Sequence, residues 1–224
     1  MAVYLYAICG AHAEPPSGTG IDGAALRMLR CAGLSALVSD VRDSERSPTE
    51  DDLWEHESVV ERLMSDHDLL PARFGTSLID DAAVRDFLDG RSAELHAGLR
   101  RVAGALELGI RAGWPVAETG HDDGHDGPRA GGAYLTARVN LQKRARALAR
   151  HVDAALTPLC RERLIRVLGG PNMAMTGAFL IDRGAVDRVR ARVSDLDAEM
   201  MNVELACTGP WPPYSFTGGG DSSR

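Results

Sequence analysis

The sequence is poor in lysine and in aromatics. It has no surplus of positive charge, no long apolar run and no closely spaced cysteine pair. Lysine occurs once, at Lys143, and the other 24 of 25 basic residues are arginine. So one-sided a usage is what a GC-rich genome produces, and arginine abundance alone therefore carries no functional weight. A formal net charge of −7 over 224 residues argues against a dedicated nucleic-acid binder, which normally carries a basic excess. No apolar stretch reaches 18 residues, so no membrane span is expected. Met1 to Cys9 is apolar, but no basic residue precedes it and Glu14-Pro15-Pro16 soon interrupts; it reads as a first strand rather than an export signal. Cys9, Cys31, Cys160 and Cys207 are widely separated, with neither a CxxC nor a metal-ligand spacing. They are expected to be reduced, mostly buried thiols of a cytosolic protein.

Motifs for catalysis are missing as well. There is no phosphate-binding GxxxxGK[ST] and no GxGxxG between a strand and a helix. Gly169-Gly170-Pro171 joins two expected strands, so no helix N-terminus follows to hold a phosphate. No serine lies in a GxSxG elbow, and the histidines at 12, 56, 67, 96, 121, 125 and 151 show no partner network along the chain. His56 and His67 are expected to be solvated or to sit at a helix end. No catalytic residue and no cofactor is assigned. His121-Asp122-Asp123-Gly124-His125-Asp126 has the ligand types for a divalent cation. It stands between Gly120 and Gly127-Pro128 with no apolar residue to fix ligand geometry, which favours a solvated linker, and no metal ligand is assigned. A metal sensor built on this loop, or a small-molecule enzyme, stays open as an alternative.

What is present is an apolar fraction of 44%, enough for a folded chain, at a length that allows one large domain or two small ones. Val3–Cys9 reads as a strand, and Leu26–Cys31 and Leu34–Val41 as a hairpin around Ala32-Gly33. Ser47-Pro48-Thr49-Glu50 has the form of a capping box, with Ser47 as N-cap. In the helix after it, to about residue 67, Leu53, Val60, Leu63, Met64 and His67 fall on one stripe. An extended segment Leu69–Thr76 follows. One helix capped by Asp80 and closed by Gly104 then carries the stripe Val84, Phe87, Leu88, Leu95, Leu99 and Val102. Leu106, Leu108 and Ile110 alternate with Glu107 and Gly109, as in a half-buried strand. A helix over 134–156 comes next, with Leu135, Val139, Gln142, Ala145, Leu148, Val152 and Leu156 on one face. Strands Leu164–Leu168 and Met173–Ile181, a helix over 184–198 and a strand Met201–Cys207 complete the chain.

The order from Ala105 is thus β-α-β-β-α-β, the split pattern of a ferredoxin-like fold. The fold class is α+β in two domains: an N-terminal α+β unit over 1–104 and a ferredoxin-like unit over 105–207 with an inserted loop 114–132. An extended C-terminal tail over 208–224 follows. Charge is divided between them. Residues 40–68 hold eleven Asp and Glu against three Arg, whereas residues 134–168 hold eight Arg and Lys against Asp153 and Glu162. Either these are two solvated helical faces, or the surface is polarised for docking. The tail Thr208-Gly209-Pro210-Trp211-Pro212-Pro213-Tyr214-Ser215-Phe216 packs three aromatics and three prolines into nine residues. It reads as a stiff, polyproline-like strap, either packed on its own domain or used for recognition. Gly218 to Arg224 is expected to be disordered.

That nonamer resembles the C-terminal signature of the gas vesicle protein L/F family. Leu70-Pro71-Ala72-Arg73-Phe74-Gly75-Thr76 resembles the family's mid-chain LP-x-RFGT segment. Tyr4-Leu5-Tyr6-Ala7-Ile8, Tyr134-Leu135 and Ala178-Phe179-Leu180-Ile181-Asp182 match in the expected order. The resemblance spans nearly the whole chain and implies a two-domain, non-enzymatic accessory protein of gas vesicle assembly. Its implied place is the cytoplasm and the gas vesicle, and its implied partners are the small hydrophobic major shell protein and other gas vesicle accessory proteins. An apolar, β-rich subunit aggregates unless its edges and faces stay covered until it joins the wall, which is the physical reason for such a factor. Arg73, Phe74, Trp211 and Tyr214 are the partner-binding residues expected.

Overall fold

A computed structural model describes residues 2–41, 48–115 and 130–218, with the side chains of 130–134 excepted. Ser47, the His121–Asp126 stretch and the last six residues lie outside the described residues. The fold is mixed α/β with two antiparallel sheets, and the chain divides into two compact units. The first comprises Met1–Leu106 together with Trp211–Arg224, and the second Glu107–Pro210.

The first unit begins with β1 (Val3–Gly10), β2 (Arg27–Cys31) and β3 (Leu34–Asp40), followed by α1 (Glu50–Asp66). Two short strands, β4 (Leu69–Pro71) and β5 (Ser77–Leu78), lead into α2 (Asp81–Gly90) and α3 (Ser92–Val102). The sheet order is β2-β3-β1-β4, with β5 also paired to β1. Register runs from Val3 opposite Asp40 to Gly10 opposite Leu34, and steps by one residue at Tyr6. Successive side chains of a strand point to opposite faces. Leu69 joins the cluster under α1, formed with Tyr4, Tyr6, Val59, Val60 and Leu63, whereas the next residue, Leu70, meets α3 at Gly98. Helices therefore cover both faces, which is why β1 is buried from Val3 to Cys9.

Three local expectations change. The cap of α1 is Thr49, not Ser47: the Thr49 hydroxyl accepts the Asp52 N–H, and the Asp52 carboxylate accepts the Thr49 N–H at 2.7 Å. This places Pro48 just before the cap and turns Leu53 outward, leaving Asp52, His56, Val59, Val60 and Leu63 as the buried stripe. Thr49→Ala should lower the stability of this unit by about 1 kcal/mol in a urea melt. Next, the helix after Asp80 is two helices, broken at Arg91 (φ −115°, ψ 14°), which stands between the weaker helix formers Gly90 and Ser92. Asp80 does cap the first of them, accepting the Ala83 N–H at 2.8 Å. The segment after Leu69 is ladder-paired only as far as Pro71. It then turns, with Thr76 N–H donating to the Arg73 carbonyl at 3.1 Å.

The second unit contains β6 (Ala105–Gly113), whose first two residues belong to the first unit, and α4 (Ala130–Leu156). Then come β7 (Glu162–Val167), β8 (Met173–Asp182), α5 (Val186–Glu199) and β9 (Glu204–Trp211), whose last residue also falls in the first unit. The order is β7-β8-β6-β9, with Glu162 opposite Leu180 and Val167 opposite Met175. β6 is not half-buried: it lies between β8 and β9, and Glu107 is as buried as its apolar neighbours. α4 packs on β7 and β8 through Ala145, Leu148, Val152 and Leu156, but Leu135 and Val139 of the expected stripe are 62% and 52% exposed. β9 does not stop at Cys207. It continues to Trp211 through Pro210, a residue that a strand at the edge of a sheet tolerates.

Candidate interaction site

In the first unit, the outer face of α1 and the end of the chain form one surface. After Trp211 the buried Pro212 and Pro213 lead into a single 3-10 turn, Tyr214–Phe216, instead of an extended polyproline path. Phe216 is fully buried. The Arg101 guanidinium lies over its ring and donates to the Phe216 and Gly218 carbonyls at 3.2 and 3.1 Å. The turn therefore has a fixed seat, and it presents Tyr214 to α1.

Beneath α1 lies a buried polar chain. Gly75 N–H donates to the Tyr4 hydroxyl at 2.9 Å, and that hydroxyl is 3.1 Å from His56 Nδ1. His56 Nε2 is 3.1 Å from the Tyr214 hydroxyl, which donates to Glu57 Oε1 at 3.1 Å. A carboxylate only accepts, so Tyr214 spends its proton on Glu57 and must accept from His56. His56 is then the neutral Nε2–H tautomer, and its Nδ1 accepts from Tyr4. Packing favours the same state. His56 is completely buried, stacked on Tyr6 at 5.6 Å and edge-on to Phe74 at 5.8 Å. Desolvation pulls its pKa down to about 4, although the Ala72 backbone pulls the other way. Burial likewise holds the Glu57 carboxyl above its usual range, and burial with the nearby Glu57 charge raises the Tyr214 hydroxyl.

Tyr6 anchors the wall behind the histidine. Its hydroxyl accepts the Ile21 N–H at 2.9 Å and lies 3.0 Å from Ser39 Oγ. Gly20 must be glycine here, since a Cβ would stand 2.2 Å from that hydroxyl. A hollow of about 220 Å³ lined by Tyr4, Ser39, Asp52 and Phe74 opens nearby, but His56 is not in its lining. Among the described residues no group of three His, Cys, Asp or Glu side chains is placed to hold a metal. The chemistry of the chain of hydrogen bonds is that of a latch: every polar end is satisfied, and it joins strand, helix and chain terminus.

Outside the latch runs a groove of about 440 Å³ lined by Leu53, Trp54, Glu57, Ser58, Glu61, Trp211 and Tyr214. Its apolar lining is exposed: Trp54 by 65%, Trp211 by 42% and Leu53 by 37%. Carboxylates of α1 edge it, and Glu50 Oε1 accepts from the Trp54 indole at 3.4 Å. Of the four expected contact residues, Trp211 and Tyr214 line this groove, and Phe74 lies behind it against His56. Arg73 is exposed on the turn after β4 and belongs to neither arrangement. His67 is half-buried at the C-terminal cap of α1, where its Nε2 accepts the Glu14 N–H at 3.4 Å. His56, expected in solvent, is instead the centre of the latch. Its spacing on α1 with Val59, Val60 and Leu63 could have shown this, because the four fall on one helical stripe. Leu53 and Trp54 were hidden for the converse reason, as apolar residues on the polar face.

Comparison with known proteins agrees with the resemblance. The family model described as gas vesicle synthesis protein GvpL/GvpF matches residues 2–218. Gas vesicle protein F of Streptomyces sp. (strain CB03234) is 29% identical, the alignment covering 96% of this chain and 99% of that protein. Gas vesicle protein L of the same strain is 27% identical over 91% of this chain and 87% of its own. The crystal structure of GvpF from Anabaena sp. PCC7120 has the same fold, with a TM-score of 0.81 at 19% identity and coverage of 98% and 99%. No described helix is long and apolar enough to cross a membrane.

Proposed function

Because this chain belongs to the GvpL/GvpF family of gas vesicle synthesis proteins, we propose that it is a non-enzymatic accessory protein that binds the hydrophobic major shell subunit. In this reading it acts in the cytoplasm at the nascent vesicle and supports nucleation or growth of the wall. The observation that carries it is the groove along α1, where two exposed tryptophans and a leucine form a contiguous apolar surface. Trp211 and Tyr214 form the wall of the contact surface, Phe74 supports it from within, and Arg73 lies exposed beside Phe74 in sequence. Tryptophan and tyrosine are the residue types that dominate binding hot spots, since each contributes a large rigid area with one polar end. The βαββαβ order and the sheet order β7-β8-β6-β9 support reading the second unit as ferredoxin-like.

The test is retention of the purified major shell subunit on the immobilised full-length protein. The wild type should retain it, and Trp54→Ala with Trp211→Ala should weaken retention at least about tenfold, as for the loss of hot-spot side chains. A wild-type protein that retains no shell subunit, with vesicle formation unchanged after deletion of the gene, rejects the reading.

A further inference from the structure

The groove is lined by apolar side chains and edged by negative charge. Along α1, Leu53, Glu57 and Glu61 follow one another at i, i+4 and i+8, beside Trp54 and Ser58. These spacings place them on adjoining rows of one helix face. Its occupant must therefore bring apolar side chains together with cations. A surface of that kind exists elsewhere in the same sequence. On α4, Leu135, Val139 and Lys143 also stand at i, i+4 and i+8, and Arg138 and Arg146 flank them. Leu135 and Val139 are 62% and 52% exposed, and Arg138, Lys143 and Arg146 are exposed too. An amphipathic stripe exposed at Leu135 and Val139 is unusual for a helix whose later turns, from Ala145, are packed.

We propose that the α1 groove receives the Leu135–Lys143 face of α4 from a second copy of this chain. Leu135 and Val139 insert between Trp54, Leu53 and Trp211, while Arg138 and Lys143 meet Glu57 and Glu61. The inference rests on reading the groove as a docking surface, and it assigns the groove an occupant before a client arrives. The two surfaces differ, so the contact is heterologous and propagates head to tail unless a ring closes. Self-association and client binding then compete, and a sticky groove is covered while no subunit is available.

The experiment is sedimentation velocity on the full-length protein over a range of concentrations. The wild type should associate at low salt, and the association should weaken by 0.5 M salt, where screening acts within a few ångströms. Trp54→Glu, which blocks the groove, and Val139→Glu, which blocks the helix, should each give monomers. An equimolar mixture of the two should form dimers and stop there, because each variant keeps one competent face. Both positions are exposed, and a circular dichroism melt matching the wild type establishes that each variant folds; Leu53→Glu and Leu135→Glu replace a variant that does not. A wild type monomeric at about 100 μM in low salt, association unaffected by either folded variant, or a mixture that stays monomeric overturns the proposal. Should Trp54→Glu lose the shell subunit but still self-associate, the groove remains a client site and the second-copy contact is rejected. Self-association that obeys the mixing rule, in a protein that retains no shell subunit, sustains this contact and rejects the client reading alone.

Discussion

Lowering the pH from 7 to 4.5 is expected to destabilise the first unit by about 2 kcal/mol through His56 alone. Burial holds the folded pKa near 4, against an ordinary value of 6.5. The unfolded chain therefore binds the proton first, and stability present above about pH 6.5 drains away as the pH falls toward 4. The groups facing the ring are Tyr4, Tyr214, Glu57 beyond Tyr214, and the Ala72 backbone. Of these, Glu57 works in the opposite sense: its carboxyl is held above its usual range, so the folded state gains from its protonation as the solution is acidified. His56→Gln separates the two, because it removes the titrating ring and keeps Glu57. Denaturant melts at several pH values, followed by tryptophan fluorescence in a Trp114→Phe background, report on Trp54 and Trp211 in this unit. The wild type should lose about 2 kcal/mol more than His56→Gln over the interval. Parallel profiles would show that the imidazole is not the buried neutral group described.

Phe216→Ala is expected to cost about 3–5 kcal/mol, the range for emptying a buried phenylalanine site. The ring is 1% exposed, beneath the Arg101 guanidinium, and its turn carries the Tyr214 hydroxyl to His56. Losing it therefore opens a cavity and slackens one end of the latch. Trp211→Ala is the comparison, since that side chain is 42% exposed and lines the groove. It should change stability by less than about 1 kcal/mol and act on binding instead. The same melts measure both. A Phe216→Ala cost below that of Trp211→Ala would mean that the end of the chain does not hold the unit together.

The tail signature thus divides by residue. Phe216 and the two buried prolines are structural, Tyr214 belongs to the latch and the groove at once, and Trp211 faces the groove. Nothing in the nonamer itself distinguishes these roles. Its prolines suggested an extended strap, but Pro210 falls in an edge strand and Pro213 accepts the hydrogen bond that closes the 3-10 turn. The cap of α1 shows the same limit on a smaller scale. Ser47 and Thr49 both begin sequences of capping type, and the hydrogen bonds of Asp52 decide between them.

The order of elements follows from the sequence because it depends on local periodicity and on chain punctuation by glycine and proline. The β1 run, the β2–β3 hairpin, the cap at Asp80 and the alternation of strand and helix after Ala105 are all of this kind. Family membership was legible for a related reason, since the RFGT segment and the tail are contiguous strings. The site is not contiguous. Tyr4, His56, Gly75 and Tyr214 are spread over more than 200 residues, and only the packing of α1 and the chain end on one sheet brings them within 3.1 Å contacts. Whether a histidine is solvated or neutral and buried, and whether a tryptophan is core or groove, depends on how a helix is rotated against that sheet. Rotation is set by long-range burial, and tertiary structure alone decided it.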